Sequence, residues 1–234
     1  MTKACYVGVA GKARKVKKIY TGVADKARKV KKAYVGVGGK ARLFYSADQK
    51  LGYYGTVTGL SQVKSWSAAT TVGNYGLFGG GGISSNFSTV DAYSASLVRS
   101  TPTALSQARS CLAATTVGNY GLFGGGMGTK TDSGSVDAYN ASLVRSTPTA
   151  LSQARGGLAA TTVGNYGLFG GGTNFTSGFS TVDAYNASLV RSTPTALSQA
   201  RANLAATAVG NYGLFGGGYD MQNYFSTVDA YNLV

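Results

Sequence analysis

Apolar positions along this chain fall in short runs broken by glycine and asparagine, and residues 112–155 show the pattern most clearly. LAATTV (112–117) is small and β-branched, Gly118-Asn119 is a turn signal, and YGLFGGG (120–126) is a second apolar run closing in glycines. Two such runs joined tightly predict a hairpin. SVDAYN (135–140) then alternates Val136 and Ala138 against Asp137 and Tyr139, and LVRST (143–147) stops at Pro148, which cannot donate to a sheet ladder. Four short antiparallel strands are predicted for this stretch.

The stretch is one of four. Asn74, Asn119, Asn165 and Asn211 mark copies spaced 45, 46 and 46 residues apart. A unit of that length cannot bury its own apolar face, whereas stacked units share a core. Four-stranded sheets repeating at this length predict a β-propeller, an all-β fold whose blades pack face to face around an axis. Ala113, Ala114, Thr115 and Thr116 on the innermost strand suit a crowded axis and few blades.

Aromatic-apolar residues run into Gly79-Gly80, Gly124-Gly125, Gly170-Gly171 and Gly216-Gly217, and Tyr93, Tyr139, Tyr185 or Tyr231 follows on the next strand. This pattern resembles Kelch repeats over residues 52–234. Where that family places a tryptophan on the outer strand, the chain has Leu97-Val98, Leu143-Val144 and Leu189-Val190, which implies lighter packing. The last unit ends without an outer strand, and LGYYGTVTGLSQ (51–62) aligns with the LVRSTPTALSQ of later units. The expected fold is therefore a four-bladed Kelch-like β-propeller over residues 46–234, closed by a strand at 51–58. Its structural rival is an open arc completed by a second copy of the chain.

Charge divides the 234 residues differently. Residues 1–45 carry thirteen Lys or Arg and one acid, and the following 189 carry nine bases and seven acids. Histidine is absent and every acid is Asp, which removes the side chains most used for proton transfer near neutral pH. No enzymatic activity, cofactor or metal is expected. Cys5 and Cys111 lie far apart and form neither a disulfide framework nor a ligand cluster. The start of the chain lacks an apolar signal-peptide core, and no run approaches the ~20 apolar residues of a membrane span. Cytoplasmic synthesis without export and without membrane insertion is expected.

The units agree closely in their strands and diverge in the segments after the glycines. Residues 136–155 and 182–201 are identical, yet GISSNF (82–87), MGTKTDSG (127–134), TNFTSGF (173–179) and YDMQNYF (219–225) share little. Divergent loops on a repeated scaffold read as a binding face, although drift of unconstrained loops gives the same pattern. The Kelch likeness implies that they share one face with the loops holding Trp66, Cys111, Gly156-Gly157 and Ala202-Asn203. Rigid aromatics beside adaptable amides suit recognition. The ligand-binding candidates are Trp66, Asn86, Phe87, Lys130, Asp132, Asn174, Phe175, Phe179, Tyr219, Asp220, Asn223, Tyr224 and Phe225. A surface glycan, or a protein surface, fits this composition better than a phosphate.

Other signals have plainer readings. The glycine strings lack the following helix and the GK[ST] of a phosphate loop. Asp91, Asp137, Asp183 and Asp229 recur with Lys64, Arg109, Arg155 and Arg201, and with Arg99, Arg145 and Arg191, which predicts one structural ion pair per blade. A catalytic carboxylate pair needs unlike environments, and repetition makes these alike. Four Asn-x-Ser/Thr triplets, at Asn86, Asn140, Asn174 and Asn186, are coincidences of a Ser/Thr-rich repeat in a chain without an export signal. Cys111 has no histidine to activate it.

Residues 1–45 repeat on their own period. Tyr6, Tyr20 and Tyr34 each open a Tyr-x-Gly-Val run 14 residues apart, separated by KARKVKK or KAR. Strands at the tyrosine runs, turns at the intervening glycines and Asp25, and cationic return strands are predicted. The segment resembles the lead-in of bacteriophage and prophage virion and tail proteins, which implies docking to a virion or tail component. Its basic residues Lys12, Arg14, Lys15, Lys17, Lys18, Lys26, Arg28, Lys29, Lys31, Lys32, Lys40 and Arg42 would anchor it. Nucleic acid, held through counterion release, is the less favoured partner, and a solubilising role is the third reading. The expected function is a phage structural or appendage protein, placed in the virion within a homo-oligomeric assembly and displaying its loops to a host surface. The alternative is a purely architectural coat or fibre subunit.

Overall fold

A computed structural model describes residues 51–174 and 176–233, together with six strands among the first fifty residues. Every regular element among the described residues is a strand. The chain divides into two units, Met1–Thr56 and Val57–Val234, where composition alone placed the boundary at 45/46. Residues 51–56 form no strand and are exposed.

In the first unit, β1 (Tyr6–Val9) pairs with β2 (Lys12–Lys15), β3 (Tyr20–Val23) with β4 (Lys26–Lys29), and β5 (Lys32–Val37) with β6 (Lys40–Ser46). Tyr6 faces Lys15 across the first ladder and Tyr20 faces Lys29 across the second, so the 14-residue period is one hairpin repeated in register. The third hairpin is longer and shifts register between Ala33 and Tyr34. The turns expected at the glycines and Asp25 lie outside the described residues.

In the second unit, β7 (Ala68–Val72), β8 (Tyr75–Gly79), β9 (Val90–Ser94) and β10 (Arg99–Ser100) form an antiparallel meander. β11 (Ala113–Val117), β12 (Tyr120–Gly124), β13 (Val136–Asn140) and β14 (Arg145–Ser146) repeat it. So do β15 (Ala159–Val163), β16 (Tyr166–Gly170), β17 (Val182–Asn186) and β18 (Arg191–Ser192). A fourth sheet holds β19 (Ala205–Val209), β20 (Tyr212–Gly216) and β21 (Val228–Tyr231). The hairpin turns need a left-handed residue, which Gly118 supplies at φ 53°. Leu143 takes φ 61° at the next turn, where the Asn140 side chain accepts from the N–H groups of Ser142 and Val144 and fixes the bend.

The core lies between sheets. β7, β11, β15 and β19 pack in series, and each junction joins one face of a sheet to the opposite face of the next. Val72, Leu77, Val90 and Ala92 of the first sheet meet Leu105, Leu112, Phe123 and Tyr139. The same set recurs at the second junction around Phe169 and at the third around Phe215. Threonines knit the inner strands, with Thr70 Oγ1 2.9 Å from Thr116 and Thr115 Oγ1 2.8 Å from Thr162.

Two features depart from the closed-ring expectation. The closing strand expected at 51–58 is not formed, because those residues carry no ladder, and the fourth sheet stops at three strands. Residues 58–61 cap the first sheet instead. The Thr58 carbonyl accepts from Tyr93 Oη at 2.7 Å, the Gly59 carbonyl from Arg99 at 3.1 Å, and the Ser61 N–H donates to Asp91 at 3.0 Å. Thr103, Ala104 and Ser106 cap the second sheet in the same way, so each of these sheets is capped by the stretch of chain that leads into its own inner strand.

Candidate functional site

The recurrent Asp and Arg residues form the pairs expected of them. Asp137 and Arg109 are both fully buried, 2.7 Å apart, and Arg145 approaches the same carboxylate at 3.4 Å. Arg109 also donates to the carbonyls of Ser135 at 2.7 Å and Phe123 at 3.2 Å, tying β12 to the chain entering β13. Asp183–Arg155 and Asp229–Arg201 repeat the pair at 2.8 and 2.6 Å. Burial pulls the Arg109 and Arg155 guanidinium groups below their usual range, and the facing aspartates oppose it. In the first sheet Lys64 stands in, 3.2 Å from Asp91, without the guanidinium's second arm. These buried charges tie each sheet to the stretch of chain that leads into it.

The variable segments meet at one end of the sheets. There, each sheet is extended by single rungs: Ser65 to Gly82 to Asn86, Ser110 to Met127 to Asp132, Gly156 to Thr173 to Gly178, and Ala202 to Tyr219 to Tyr224. A backbone relay crosses from sheet to sheet beside them. The Cys111 N–H donates to the Trp66 carbonyl at 3.0 Å, Gly157 to Cys111 at 2.9 Å, and Asn203 to Gly157 at 2.7 Å. All four relay residues sit near φ 52–61°, a left-handed geometry that turns each N–H toward the preceding sheet. The loops are thus held side by side by main-chain bonds, which leaves the side chains of the variable segments free to differ.

Within this end the candidates separate into presenters and builders. Trp66 is 63% exposed and Tyr224 89% exposed. Tyr224 stacks on Tyr219 at 5.8 Å, and Lys130, Asn174 and Asn223 are also exposed. Asn86 bridges sheets, its Nδ2 donating to the Met127 carbonyl at 2.8 Å. Phe87, Phe179 and Phe225 are half-buried and return the loop by donating to the carbonyls of Gly81, Gly172 and Gly218. The Asn174 side chain accepts from Ser177, and Asp220 accepts from Gln222 and Asn223, so both shape their own loops. The Asn223 and Gln222 N–H groups hold the Asp220 carboxyl below the usual carboxylate range. Burial pushes Asp132 upward, and one of its oxygens finds no partner among the described residues. Phe175 lies outside the described residues.

Burial also pushes the Cys111 thiol up, against a hydrogen bond with Ser110, so the thiolate is disfavoured. Among the described residues no three His, Cys, Asp or Glu side chains gather as a metal-holding group. A groove of about 300 Å³ lined by Val163, Tyr166, Leu168, Pro194, Tyr231 and Leu233 opens at the opposite, β-turn end. Sequence reasoning missed the relay and Met127, because backbone bonds between units leave no residue signature.

The basic candidates are distributed over the first unit. Lys12, Arg14 and Lys15 lie on β2, Lys26, Arg28 and Lys29 on β4, Lys32 on β5, and Lys40 and Arg42 on β6. Lys17, Lys18 and Lys31 lie outside the described residues. No known protein-family pattern matches the chain, and no curated protein matches it significantly. The fold and site define an all-β repeat protein of blade-like sheets with a variable loop end.

Proposed function

We propose that this chain is a structural display protein of a bacteriophage or prophage particle. Its sheets act as Kelch-like propeller blades, its basic hairpins dock on a virion or tail component, and its variable loops meet a glycan or protein on the host surface. One observation carries the display reading: sheets in identical register bear, at a single end, loops that differ in every unit. Trp66 and Tyr224, the exposed aromatics of that end, supply flat apolar area of the kind that stacks on sugar rings.

Probing arrays of bacterial surface polysaccharides with the full chain tests this. Binding lost in Trp66→Ala and Tyr224→Ala supports it; absence of binding, or binding that both variants retain, overturns it. Titrating the full chain against double-stranded DNA tests docking, since a steep loss of affinity with salt would make nucleic acid the partner of the hairpins. A coat or fibre subunit is the second reading, favoured by the exposed apolar faces at both ends of the sheet array.

A further inference from the structure

The three internal junctions are built from the same two half-surfaces. The leading face of each following sheet presents a phenylalanine, and the trailing face of each preceding sheet presents a glycine that receives it. A β-carbon on Gly79 would meet Phe123 at 2.7 Å, one on Gly124 would meet Phe169 at 2.7 Å, and one on Gly170 would meet Phe215 at 2.8 Å. Beside that contact, Gly121, Gly167 and Gly213 lie under Thr70, Thr115 and Val163 of the preceding sheet.

Among the described residues, one half-surface is left uncovered at each end of the array. Phe78 is 37% exposed, whereas Phe123, Phe169 and Phe215 are fully buried. Gly76, the counterpart of Gly121, has nothing among the described residues within 4 Å of an added β-carbon. At the other end Gly216 meets only Val228 of its own sheet, at 3.4 Å. Val209 and Val228 are each 59% exposed, while their counterparts Val72, Val117, Val163, Val90, Val136 and Val182 are buried. Main-chain groups are left over in the matching places. Among the described residues the Gly218 N–H lacks the partner that Gly81, Gly126 and Gly172 find in the next sheet's Lys- or Arg-position carbonyl, and the relay ends on the Trp66 N–H and the Asn203 carbonyl.

We propose that these two faces are the halves of a fourth junction, occupied by a second copy of this chain bound head to tail. Phe78 of one copy seats on Gly216 of the next, Val209 packs over Gly76, and Trp66 donates to Asn203. The occupant is specified by the surface itself, because its complement is built into the same chain and used three times within it. Such a heterologous contact adds copies by rotation and joins the first sheet of one to the last of another. Ser67 stands where Leu112, Leu158 and Leu204 pack at the internal junctions, so this contact is the weakest of the series and the first to part on dilution.

The test adds bulk to open space, so folding is left alone. Gly76→Leu blocks the leading face and Gly216→Leu the trailing face, and neither site has a positive φ. Light scattering on the full chain should give concentration-dependent association for the unaltered protein and a monomer for each variant. An equimolar mixture of the two variants should form a one-to-one pair, since each retains the half that the other lacks. A monomeric unaltered chain, variants that associate as it does, or a mixture that stays monomeric would each overturn the proposal. The first outcome includes a chain that closes on itself.

Discussion

Gly124 lies beneath the ring of Phe169, close enough that a β-carbon would come within 2.7 Å of Cε1. The missing side chain is what lets neighbouring sheets approach until the phenylalanine is fully buried. Each Phe also meets a tyrosine edge to face, Phe169 with Tyr185 at 5.9 Å, so a shift of the ring disturbs two sheets.

Gly124→Ala should therefore cost about 1–3 kcal/mol, as overpacking of a tight core does. The same change at Gly216 should be neutral or slightly stabilising at a dilution where copies of the chain are separate, since its space is then open and the unfolded chain loses freedom. Urea denaturation of the two variants at equal protein concentration measures the difference.

The buried pair gives a second contrast. Asp137→Asn leaves the Arg109 guanidinium buried beside a neutral amide, and about 3–5 kcal/mol of stability should be lost. Lys64→Arg should act in the other direction. Arginine restores the bonds to carbonyls that Arg109 makes and Lys64 cannot fully copy, with a gain of about 1 kcal/mol by thermal or urea unfolding.

Acid should unfold the first sheet through Asp91. Burial works to raise its carboxyl, but hydrogen bonds from Ser61 and Lys64 outweigh this and hold it below the usual range. A group depressed in the folded state adds stability above the unfolded value, near pH ~4, and loses it as pH falls through the folded value. Asp91→Asn should flatten the dependence of unfolding free energy on pH below about 5, which denaturant titrations across that range would measure.

Alkali acts on the tyrosines with the opposite sign. Burial, reinforced by Asp137 and Asp183, raises the Tyr139 and Tyr185 hydroxyls well above the ordinary value, and burial beside Asp229 pushes Tyr231 up to about 12. Their contribution is intact below the unfolded value near ~10 and declines as pH rises beyond it. Absorbance at the phenolate band should show Tyr139, Tyr185 and Tyr231 ionising only as the fold is lost.

Tyr224→Ala removes an exposed ring whose strongest contact is a stack on Tyr219. Its effect on unfolding free energy should stay within about 0.5 kcal/mol, as for most surface changes. Any loss of polysaccharide binding in this variant then reports on contact with the ligand and not on the fold.

The spacing of Asn74, Asn119, Asn165 and Asn211, and the turn glycines before them, determined the strands and their antiparallel order. Those features act through local backbone preference and through period-two burial, which a sequence carries on its face. The ion pairs were legible too, because a charge repeated at a fixed place in each sheet needs a partner repeated with it. The loop end was legible as divergence between units, but not which residues present and which build: Asn86 bonds to the backbone of the next sheet, and Asp220 to the backbone of its own loop. Only the tertiary structure decided that residues 58–61 cap the first sheet, and that Phe78 and Gly216 have no sheet packed against them among the described residues. The YGLFG strand that carries the phenylalanine is the same in all four sheets, whether they lie inside the array or at its ends. What distinguishes Phe78 from Phe123 is the presence of a preceding sheet, and that is a fact of packing in space.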